Sequence, residues 1–316
     1  MSDFDYQIGY GKLRVPVYRV YARPLLGVTP IPESSFTGRD NTLFAVEIDV
    51  EVLGDNFLPA YTAGDNSMVV ATDSMKNYIL RESLTYDGST LEGLLAYLGA
   101  GFINRYEQIN ALQISGRELP FQPAQVPAGE RFGPSPVLFN HGRGDYATAA
   151  LELQGNDGEI ELTDHLCGRV ELQLLKVTGS AFTSFVRDGY TTLPDRRDRP
   201  LYIFLDVHWR YADADDPRDP SPARYVPAEQ IRDLVTAVFH ELVSESIQHL
   251  VHEMGARILD RFPQLAEVSF AAQNRTRDPV AESATDPRVK VYSDPFPAYG
   301  EITLTMRRTE APEVPA

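Results

Sequence analysis

The segment NTLFAVEIDVEVLG, residues 41–54, decides the fold class of this 316-residue chain. Every second residue from Phe44 to Val52 is apolar, and the intervening positions are largely acidic. Successive side chains of a β-strand point to opposite faces, so this strand has one apolar face and one acidic face. That pattern is typical of an antiparallel strand buried on one side only. The sequence therefore predicts a sheet with helices on a single face.

Similar patterns predict the elements on both sides of this strand. Residues 14–22 form an earlier strand, in which Pro16 requires a sheet edge or a bulge because proline cannot donate a backbone hydrogen bond. Apolar residues at helical spacing predict helices over 65–84 and 90–106, and a strand follows near 108–118. Polar side chains can cap the first turn of each helix. The candidate caps are Asp65 or Asn66 for the first helix and Ser89 or Thr90 for the second.

The second half of the chain repeats this order of elements. Two Pro-rich segments, 122–145 and 212–227, are interpreted as loops. From Pro227, which is expected at the first helical position, apolar residues recur at helical spacing to Phe262 over roughly 50 Å. This length predicts two consecutive helices or one bent helix. Strands are predicted at 146–154, 168–179, 200–211, 265–273 and 300–308.

The repeated order predicts an α+β protein with two tandem domains, residues 1–145 and 146–316. In each domain, antiparallel strands would form a sheet whose helices cover one face. No repeat is visible at the level of individual residues, so the repetition is one of element order alone.

Composition and charge exclude several classes of function. Acidic residues outnumber basic ones by 45 to 29, which gives a net charge of −16 and predicts no general affinity for nucleic acid or an anionic membrane. Cys167 is the single cysteine, so an intrachain disulfide is excluded. No signal peptide and no apolar run of membrane-spanning length is visible. We therefore expect a cytoplasmic protein.

Common catalytic and metal-binding motifs are also missing from the sequence. The two histidines of HLVH, residues 249–252, lie three apart on a predicted helix, but a zinc site needs three or four ligands and no further candidates cluster with them. We interpret them as exposed helix residues. The GYGK sequence at 9–12 lacks the glycine spacing of a phosphate-binding loop, and no Ser-His-Asp constellation is recognisable.

Five short motifs, taken together, resemble the urate oxidase family. They are YGK at 10–12, VVATDSMKN at 69–77, FVRDGYTTL at 185–193, DR at 198–199 and ESIQ at 245–248, in the family order and with similar spacing. The resemblance covers nearly the whole chain. It implies two tandem tunnelling-fold (T-fold) domains that assemble into a barrel-like homotetramer around a central tunnel. It also implies oxidation of urate by O₂ without a metal or an organic cofactor.

The resemblance further implies a role for individual residues. Lys12 and Thr72 would form the catalytic dyad, in which a lysine that loses its own proton makes the weakly acidic hydroxyl usable for proton transfer. Family members build each pocket from two chains, with the dyad facing the other groups across a subunit interface. The remaining groups would bind the flat substrate or O₂: the backbones of Asp73 and Ile247, the stacking ring of Phe182, the wall residue Leu193, the paired hydrogen bonds of Arg199 and Gln248, and the O₂ or water site at Asn274.

Structural roles are the alternative for several of these residues. Thr72 and Asp73 could cap a helix, which typically contributes ~1 kcal/mol; with the flanking motif we interpret them as part of a site that also caps the helix. Lys12 and Arg199 could be solvated surface charges. Phe182 could belong to the core.

One position departs from the family pattern. Where the family has Asn-x-His, this chain has Asn274, Arg275 and Thr276, so Thr276 replaces the histidine of a Lys-Thr-His relay. Urate oxidation to 5-hydroxyisourate and hydrogen peroxide is the principal hypothesis. The departure keeps two others open: a T-fold enzyme acting on a related purine or a pterin, and an oligomeric purine-binding protein without catalysis.

Overall fold

The computed structural model describes residues 4–142, 144–156, 158–218, 223–294 and 297–309. The chain folds into two compact units, each containing segments from distant parts of the sequence. The first unit comprises Met1–Pro30, Phe36–Gly168 and Arg210–Tyr225. The second unit comprises Ile31–Ser35, Arg169–Trp209 and Val226–Ala316.

The helices and strands follow one another in a repeated order. The first series is β1 (Gly9–Val20), β2 (Leu43–Leu53), α1 (Leu58–Thr62), α2 (Thr72–Glu82), α3 (Leu91–Arg105), β3 (Ala111–Glu118), β4 (Phe121–Ala128), β5 (Arg131–His141) and β6 (Tyr146–Asn156). The second series is β7 (Glu159–Lys176), β8 (Leu201–Tyr211), α4 (Ala228–Glu241), α5 (Ile247–Arg261), β9 (Leu265–Asn274), β10 (Pro279–Glu282), β11 (Lys290–Tyr292) and β12 (Gly300–Arg307).

Each series contains two strands, a pair of long helices and two further strands, with a small two-stranded sheet inserted between the last two; the first series also contains the short helix α1 before its long pair. The main strands are ordered β1-β2-β3-β6 in the first series and β7-β8-β9-β12 in the second. This order confirms the predicted fold class, an α+β chain with two T-fold repeats. The chain passes from the first compact unit into the second after Gly168, whereas the first series of elements ends with β6. The domain boundary expected after residue 145 stays a prediction.

Strand β2 has the environment that its alternation predicts. Val46, Ile48, Val50 and Val52 are completely buried, and β2 is paired in antiparallel fashion with both β1 and β3. Strand β1 lies at the end of the sheet order and contains a bulge after Lys12, so both conditions expected for a strand containing proline are met.

Helices α2 and α3 of the first series differ in how well the sequence predicts their starts. Thr90 caps α3, since its hydroxyl oxygen accepts a hydrogen bond from the amide of Gly93 at 3.2 Å. The prediction for α2 is wrong, because this helix begins at Thr72 and not near residue 65. Asp65 instead closes a local turn by accepting a hydrogen bond from the Ser67 amide at 2.9 Å.

The predicted loop at 122–145 is the second correction. Strands β4 and β5 pair in antiparallel fashion over most of this segment. Four prolines lie on these two strands, Pro123, Pro127, Pro134 and Pro136. A two-stranded ribbon has an unpaired side on each strand, where a missing N–H costs little. The high proline content therefore marks edge strands here, not the absence of strands.

The long helical pattern of the second series forms two helices, as expected. Pro227 is the residue that precedes the first turn of α4, one position earlier than the sequence suggests. Ser246 caps α5 by accepting a hydrogen bond from the His249 amide at 3.1 Å. None of the helices in the described part of the chain is long and apolar enough to cross a membrane.

His165 links stability of the first unit to pH. Its ring is buried, and its Nε2 atom accepts a hydrogen bond from the backbone amide of Tyr211 at 2.8 Å. Burial lowers the pKa of His165, and the charge of Arg210 lowers it further, against opposing contributions from Asp164 and Asp216. The neutral ring is therefore the form that the folded state stabilises.

We expect the stabilisation that the neutral His165 ring contributes to be present above the unfolded-state pKa of about 6.5. It should be lost as the pH falls through the lower folded-state pKa. A His165→Gln variant keeps an acceptor for the Tyr211 amide and cannot titrate. Its free energy of unfolding in urea should fall less steeply below pH 6.5 than that of the wild type. His252→Gln, which replaces an exposed histidine, is the control. Equal slopes for all three proteins would contradict the assignment.

Candidate active site

The predicted site residues fall into two groups, one in each compact unit. Lys12 belongs to the first group and lies half-buried on β1, opposite Val50 of β2. The bulge begins directly after it, and Arg14 within the bulge has a positive φ of 58°. Bulges re-aim the side chains beside them and are common at active sites.

Gly11 fixes the backbone at this point. A Cβ atom at residue 11 would lie 1.9 Å from the carbonyl oxygen of Val50, so any larger residue must push β1 away from β2. We expect Gly11→Ala to cost about 1–3 kcal/mol of unfolding free energy through overpacking and to lower activity by displacing Lys12. Urea unfolding and a kinetic assay measure the two effects. The control is Gly133→Ala, whose Cβ would meet only an ordinary contact at 3.5 Å and which should behave as wild type. Wild-type stability and activity of Gly11→Ala would contradict the prediction, because they would mean that β1 can move away from β2 at no cost.

Thr72 and Asp73 form the first turn of α2. Ala71 precedes this turn, and no side chain caps it. The expected capping role of the Thr72-Asp73 pair is therefore wrong. The Asp73 carboxylate points along the helix, where its Oδ1 accepts from Lys76 Nζ at 2.6 Å and its Oδ2 accepts from Asn77 Nδ2 at 2.9 Å.

Lys12 lies near this carboxylate. The Lys76 ammonium lowers the pKa of the Asp73 carboxyl below its usual value, and smaller contributions come from Asn77 and from the positive charge of Lys12. Lys12 and Asp73 are nevertheless not joined by an ion pair. The structure thus brings Lys12 and the start of α2 together within the first unit.

The second group is centred on Phe182, in the connection between β7 and β8. The backbones of Phe182 and Arg196 exchange two hydrogen bonds, at 2.7 and 3.0 Å. The Phe182 ring stacks on Phe185 with a centroid separation of 4.9 Å and nearly parallel planes. The Arg199 guanidinium carbon lies 5.4 Å from the Phe182 ring centroid. Phe182 is only half-buried, so its interpretation as a pure core residue does not hold.

Two buried serines join this connection to the start of α5. The hydroxyl groups of Ser180 and Ser244 are 3.1 Å apart, and the Ala181 amide donates to the carbonyl of Ser244 at 2.8 Å. Helix α5 begins three residues later with buried Ile247 and exposed Gln248. The Phe182 segment and the start of α5, which carries Gln248, are consequently joined by the same short bridge.

Arg199 is held by its backbone and by the turn beside it. Its amide donates to the Ser180 carbonyl at 2.9 Å. The neighbouring Asp198 carboxylate accepts from the Thr178 hydroxyl at 2.8 Å and from the Gly179 amide at 2.7 Å, and these donors hold the pKa of Asp198 below its usual range. The turn is therefore rigid and Asp198 is not free to neutralise Arg199.

The Arg199 side chain itself is short of partners. Its Nε atom is buried and has no hydrogen-bond acceptor in the described part of the chain. Burial lowers the pKa of the Arg199 guanidinium and the charge of Arg196 lowers it further, although an arginine remains protonated at neutral pH. A desolvated cation without an acceptor is suited to bind an anion.

A cleft in the second unit gathers three of the predicted residues. Leu193, Arg199 and Thr276 line it, together with Arg196, Asp198, Pro200, Arg277, Asp278, Pro279, Lys290 and Tyr292. Asn274 lies two residues before Thr276 on β9. Its side-chain oxygen is buried and has no donor among the described residues, so it too has an unused hydrogen-bonding capacity.

The two histidines of the HLVH motif differ in exposure. His252 is exposed, as expected, while His249 is half-buried and lies 4.0 Å from a carboxylate oxygen of Glu253. Among the described residues, no group of three or more His, Cys, Asp or Glu side chains is arranged to hold a metal ion.

Sequence reasoning missed the residues that support the site. Ser180 and Ser244 had no distinguishing pattern, because small polar residues in connecting segments are common. Lys76 and Asn77 were part of the quoted motif at 69–77. Their spacing of three and four from Asp73 is the signal that could have identified them, since residues at those distances are neighbours on a helix.

Two tandem T-fold repeats define the class of tandem tunnelling-fold proteins. One unit has Lys12 near the start of α2, and the other has an arginine whose buried Nε has no acceptor among the described residues, beside a half-buried phenyl ring. A family profile described as Uricase matches residues 51–143 and 166–303. The chain belongs to the uricase family.

Individual relatives agree with this assignment. The uricase of Haloferax volcanii is 48% identical over 271 residues, which cover 85% of this chain and 88% of the relative. A crystal structure of urate oxidase from Bacillus sp. TB-90 is similar with a TM-score of 0.92 and 43% identity, over 95% of this chain and 100% of that one.

Other relatives are longer than this chain. The uric acid degradation bifunctional protein PucL of Bacillus subtilis is 43% identical over 304 residues, 96% of this chain but 62% of the relative. A bifunctional protein of Bacillus sp. strain TB-90 is matched over 61% of its length. The chain thus spans about three fifths of these two relatives.

Proposed function

We propose that the chain is a urate oxidase that converts urate, O₂ and water to 5-hydroxyisourate and hydrogen peroxide without a cofactor. The observation that carries the proposal is the state of Arg199. This half-buried cation lies beside the Phe182 ring and has a buried Nε without an acceptor. A flat heterocyclic anion supplies both missing partners, because its ring can stack on the phenyl group while its edge accepts hydrogen bonds from the guanidinium fork.

The Lys12-Thr72 pair supplies the proton transfer. Urate binds as an anion, and the dyad removes a further proton, with the Thr72 hydroxyl as relay and the Lys12 amine as acceptor. The electron-rich dianion passes two electrons to O₂, which takes up two protons and leaves as hydrogen peroxide. Water then adds to the dehydrourate to give 5-hydroxyisourate. The protein contributes orientation and charge stabilisation.

Substrate contacts follow from the placement of the other groups. Gln248 pairs with Arg199 along one edge of urate, the backbones of Asp73 and Ile247 bind from opposite sides, and Leu193 lines the pocket. Asn274 holds O₂ or water above the ring through its unused side-chain oxygen and amide. Thr276 lies where a relay histidine would stand, so proton transfer depends on Lys12, Thr72 and water.

Each pocket is proposed to form between two chains of a homotetramer. Lys12 and Thr72 come from one chain, and Phe182, Arg199 and Gln248 come from another. Within one chain, Lys12 and Thr72 belong to one compact unit, and Phe182, Arg199 and Gln248 belong to the other.

Oxygen uptake with urate, measured on protein treated with a chelator, tests the proposal. We expect O₂ consumption and peroxide release in equal amounts with urate loss, unchanged by metal removal. Urate binding without oxygen uptake would instead identify a purine-binding protein. Thermal-shift measurements with a panel of purines and pterins distinguish the remaining hypothesis, since a true ligand raises the melting temperature by mass action. The names of the relatives favour urate.

A further inference from the structure

The Asp73 carboxylate has two possible cationic partners but uses only one. Its Oδ1 binds the Lys76 ammonium at 2.6 Å, and its Oδ2 binds the Asn77 side-chain amide at 2.9 Å. Lys12 is close enough to influence the carboxyl group electrostatically, yet it forms no ion pair with it. Both carboxylate oxygens are therefore bound by side chains of the same helix.

Lys12 lies on the face of β1 that meets the segment before α2. Tyr10, two residues earlier on the same face, accepts a hydrogen bond from the Val70 amide at its hydroxyl oxygen, 2.9 Å away. The bulge after Lys12 ends this alternation. Lys12 thus reaches the first turn of α2, where Thr72 and Asp73 are located.

An ion pair with Asp73 would impair the proposed role of Lys12. A carboxylate within ion-pair distance stabilises the protonated form of a lysine, so the lysine releases its proton only at a higher pH. The proton acceptor in the Lys12-Thr72 dyad must be neutral when it receives the proton. A carboxylate beside the dyad is compatible with that requirement only if another group holds it.

We propose that Lys76 and Asn77 are positioning residues that bind both carboxylate oxygens of Asp73 and so prevent Asp73 from pairing with Lys12. The inference rests on the proposed function, because it explains how Lys12 remains able to accept a proton. It assigns a role to two side chains that lie one helical turn beyond Thr72 and Asp73.

The other titratable groups described on β1, α1 and β2 near Lys12 include two tyrosines and two carboxylates. Tyr10 shares the face of Lys12, and Tyr61 of α1 binds the Gly9 carbonyl at 2.8 Å. Asp49 and Glu51 lie on the acidic face of β2, opposite the buried Val50 side. Urate and the Arg199 of a second chain add charges in the assembled pocket, but these are the same in every variant described below.

The test compares pH profiles of kcat/KM for urate oxidation in the assembled enzyme. Lys76→Met frees Asp73 to pair with Lys12, so we expect the acid limb of the profile to move to higher pH by about one unit. Lys76→Arg keeps a cation that can bind the carboxylate and should leave the limb near its wild-type position. The double variant Lys76→Met with Asp73→Asn lacks the carboxylate and should return the limb toward the wild-type pH.

A structural role for Lys76 predicts a different pattern. If Lys76 only stabilises α2, then Lys76→Met lowers the melting temperature and leaves the acid limb in place, and this result would overturn the proposal. A limb that stays shifted in the double variant would overturn it too, because the shift would then not depend on Asp73.

NMR separates failure of this inference from failure of the proposed function. The chain has four lysines, Lys12, Lys76, Lys176 and Lys290, so isotope labelling at lysine gives a spectrum that single substitutions assign. Lys76→Met should move the titration midpoint of the Lys12 signal to higher pH even if the wild type oxidises no urate. An unmoved midpoint contradicts the inference whatever the activity.

Discussion

Replacement of Lys12 by methionine is expected to lower kcat for urate oxidation by about 10²–10⁴-fold, the usual contribution of a general base. Methionine has a similar length and fills the half-buried position, but it can neither accept the proton from Thr72 nor hold a charge. Urate should still bind, because Arg199 and Gln248 are unchanged. Single-turnover measurement of urate loss separates the chemical step from binding.

Lys12→Arg shows whether proton transfer or charge is responsible. Arginine keeps the positive charge but does not give up its proton at accessible pH, so kcat should remain low while the KM for urate stays near the wild-type value. Arg14→Met changes an exposed cation on the adjacent bulge and should be fully active. Nearly normal kcat in Lys12→Arg would show that Lys12 acts through its charge alone.

The Arg199→Gln substitution should produce the second large effect, mainly on substrate binding. Hydrogen bonds to a charged group are worth about 1.5–3 kcal/mol each, so loss of the guanidinium should raise KM by roughly 10–100-fold while kcat falls less. Glutamine retains a polar donor of shorter reach and does not leave a large cavity. Urate titration followed by calorimetry, or the dependence of rate on urate concentration, gives the effect.

Arg197→Gln is the matched control for this prediction. Arg197 is exposed and lies two residues earlier in the same connection, so its removal changes the net charge equally and should leave KM unchanged. If the two variants raise KM by the same amount, the effect is one of overall charge and Arg199 is not a specific contact.

Mixing the two defective proteins tests whether each pocket uses two chains. At an interface between a Lys12→Met chain and an Arg199→Gln chain, one of the two pockets contains both substitutions and the other contains neither. With random pairing about a quarter of the pockets are intact, as expected for a two-fold interface between copies. Measured at a urate concentration well below the KM of Arg199→Gln, co-expression should therefore give a higher activity than either variant shows alone. Absence of recovery, with mixed oligomers demonstrated, would place both residues in one chain's pocket.

The sequence predicts most of the fold because hydrophobic periodicity survives into the structure. The alternation in β2 and the helical spacing of the last helix pair place the apolar residues on buried faces. The start of α2 was mispredicted because Asp65 and Asn66 are good capping residues in an apolar context, and local turn formation at Asp65 prevails there. Propensity alone cannot distinguish these two local uses of an aspartate.

The hairpin of β4 and β5 could not be predicted in the same way. Its alternation of apolar and polar residues is weak, since most side chains of both strands are exposed. The two strands are held by pairing with each other and not by burial of one face. Sheet pairing is a non-local property, which a reading of local pattern cannot supply.

The candidate site was accessible to sequence reasoning only through the family resemblance. Lys12, Phe182 and Arg199 are ordinary residues in ordinary contexts when taken singly. Their chemistry depends on burial and on the missing partners of Arg199 and Asn274, which are features of the folded chain. The supporting bridge between Ser180 and Ser244 connects segments 64 residues apart and has no local signature.

The absence of a side-chain cap on α2 has an energetic consequence. The amides of Thr72 and Asp73 lie at the start of the helix, where the N–H groups have no acceptor in a preceding turn. The carbonyl of Ala71 accepts from the amides of Ser74 and Met75, and its side chain offers no acceptor for the two earlier amides. Among the described residues no acceptor faces the amides of Thr72 and Asp73, and these two backbone protons are expected to exchange rapidly with deuterium. An anion bound to those amides would supply the missing hydrogen-bond acceptors. The free energy of ligand binding and the free energy of ordering the first turn of α2 would then be coupled.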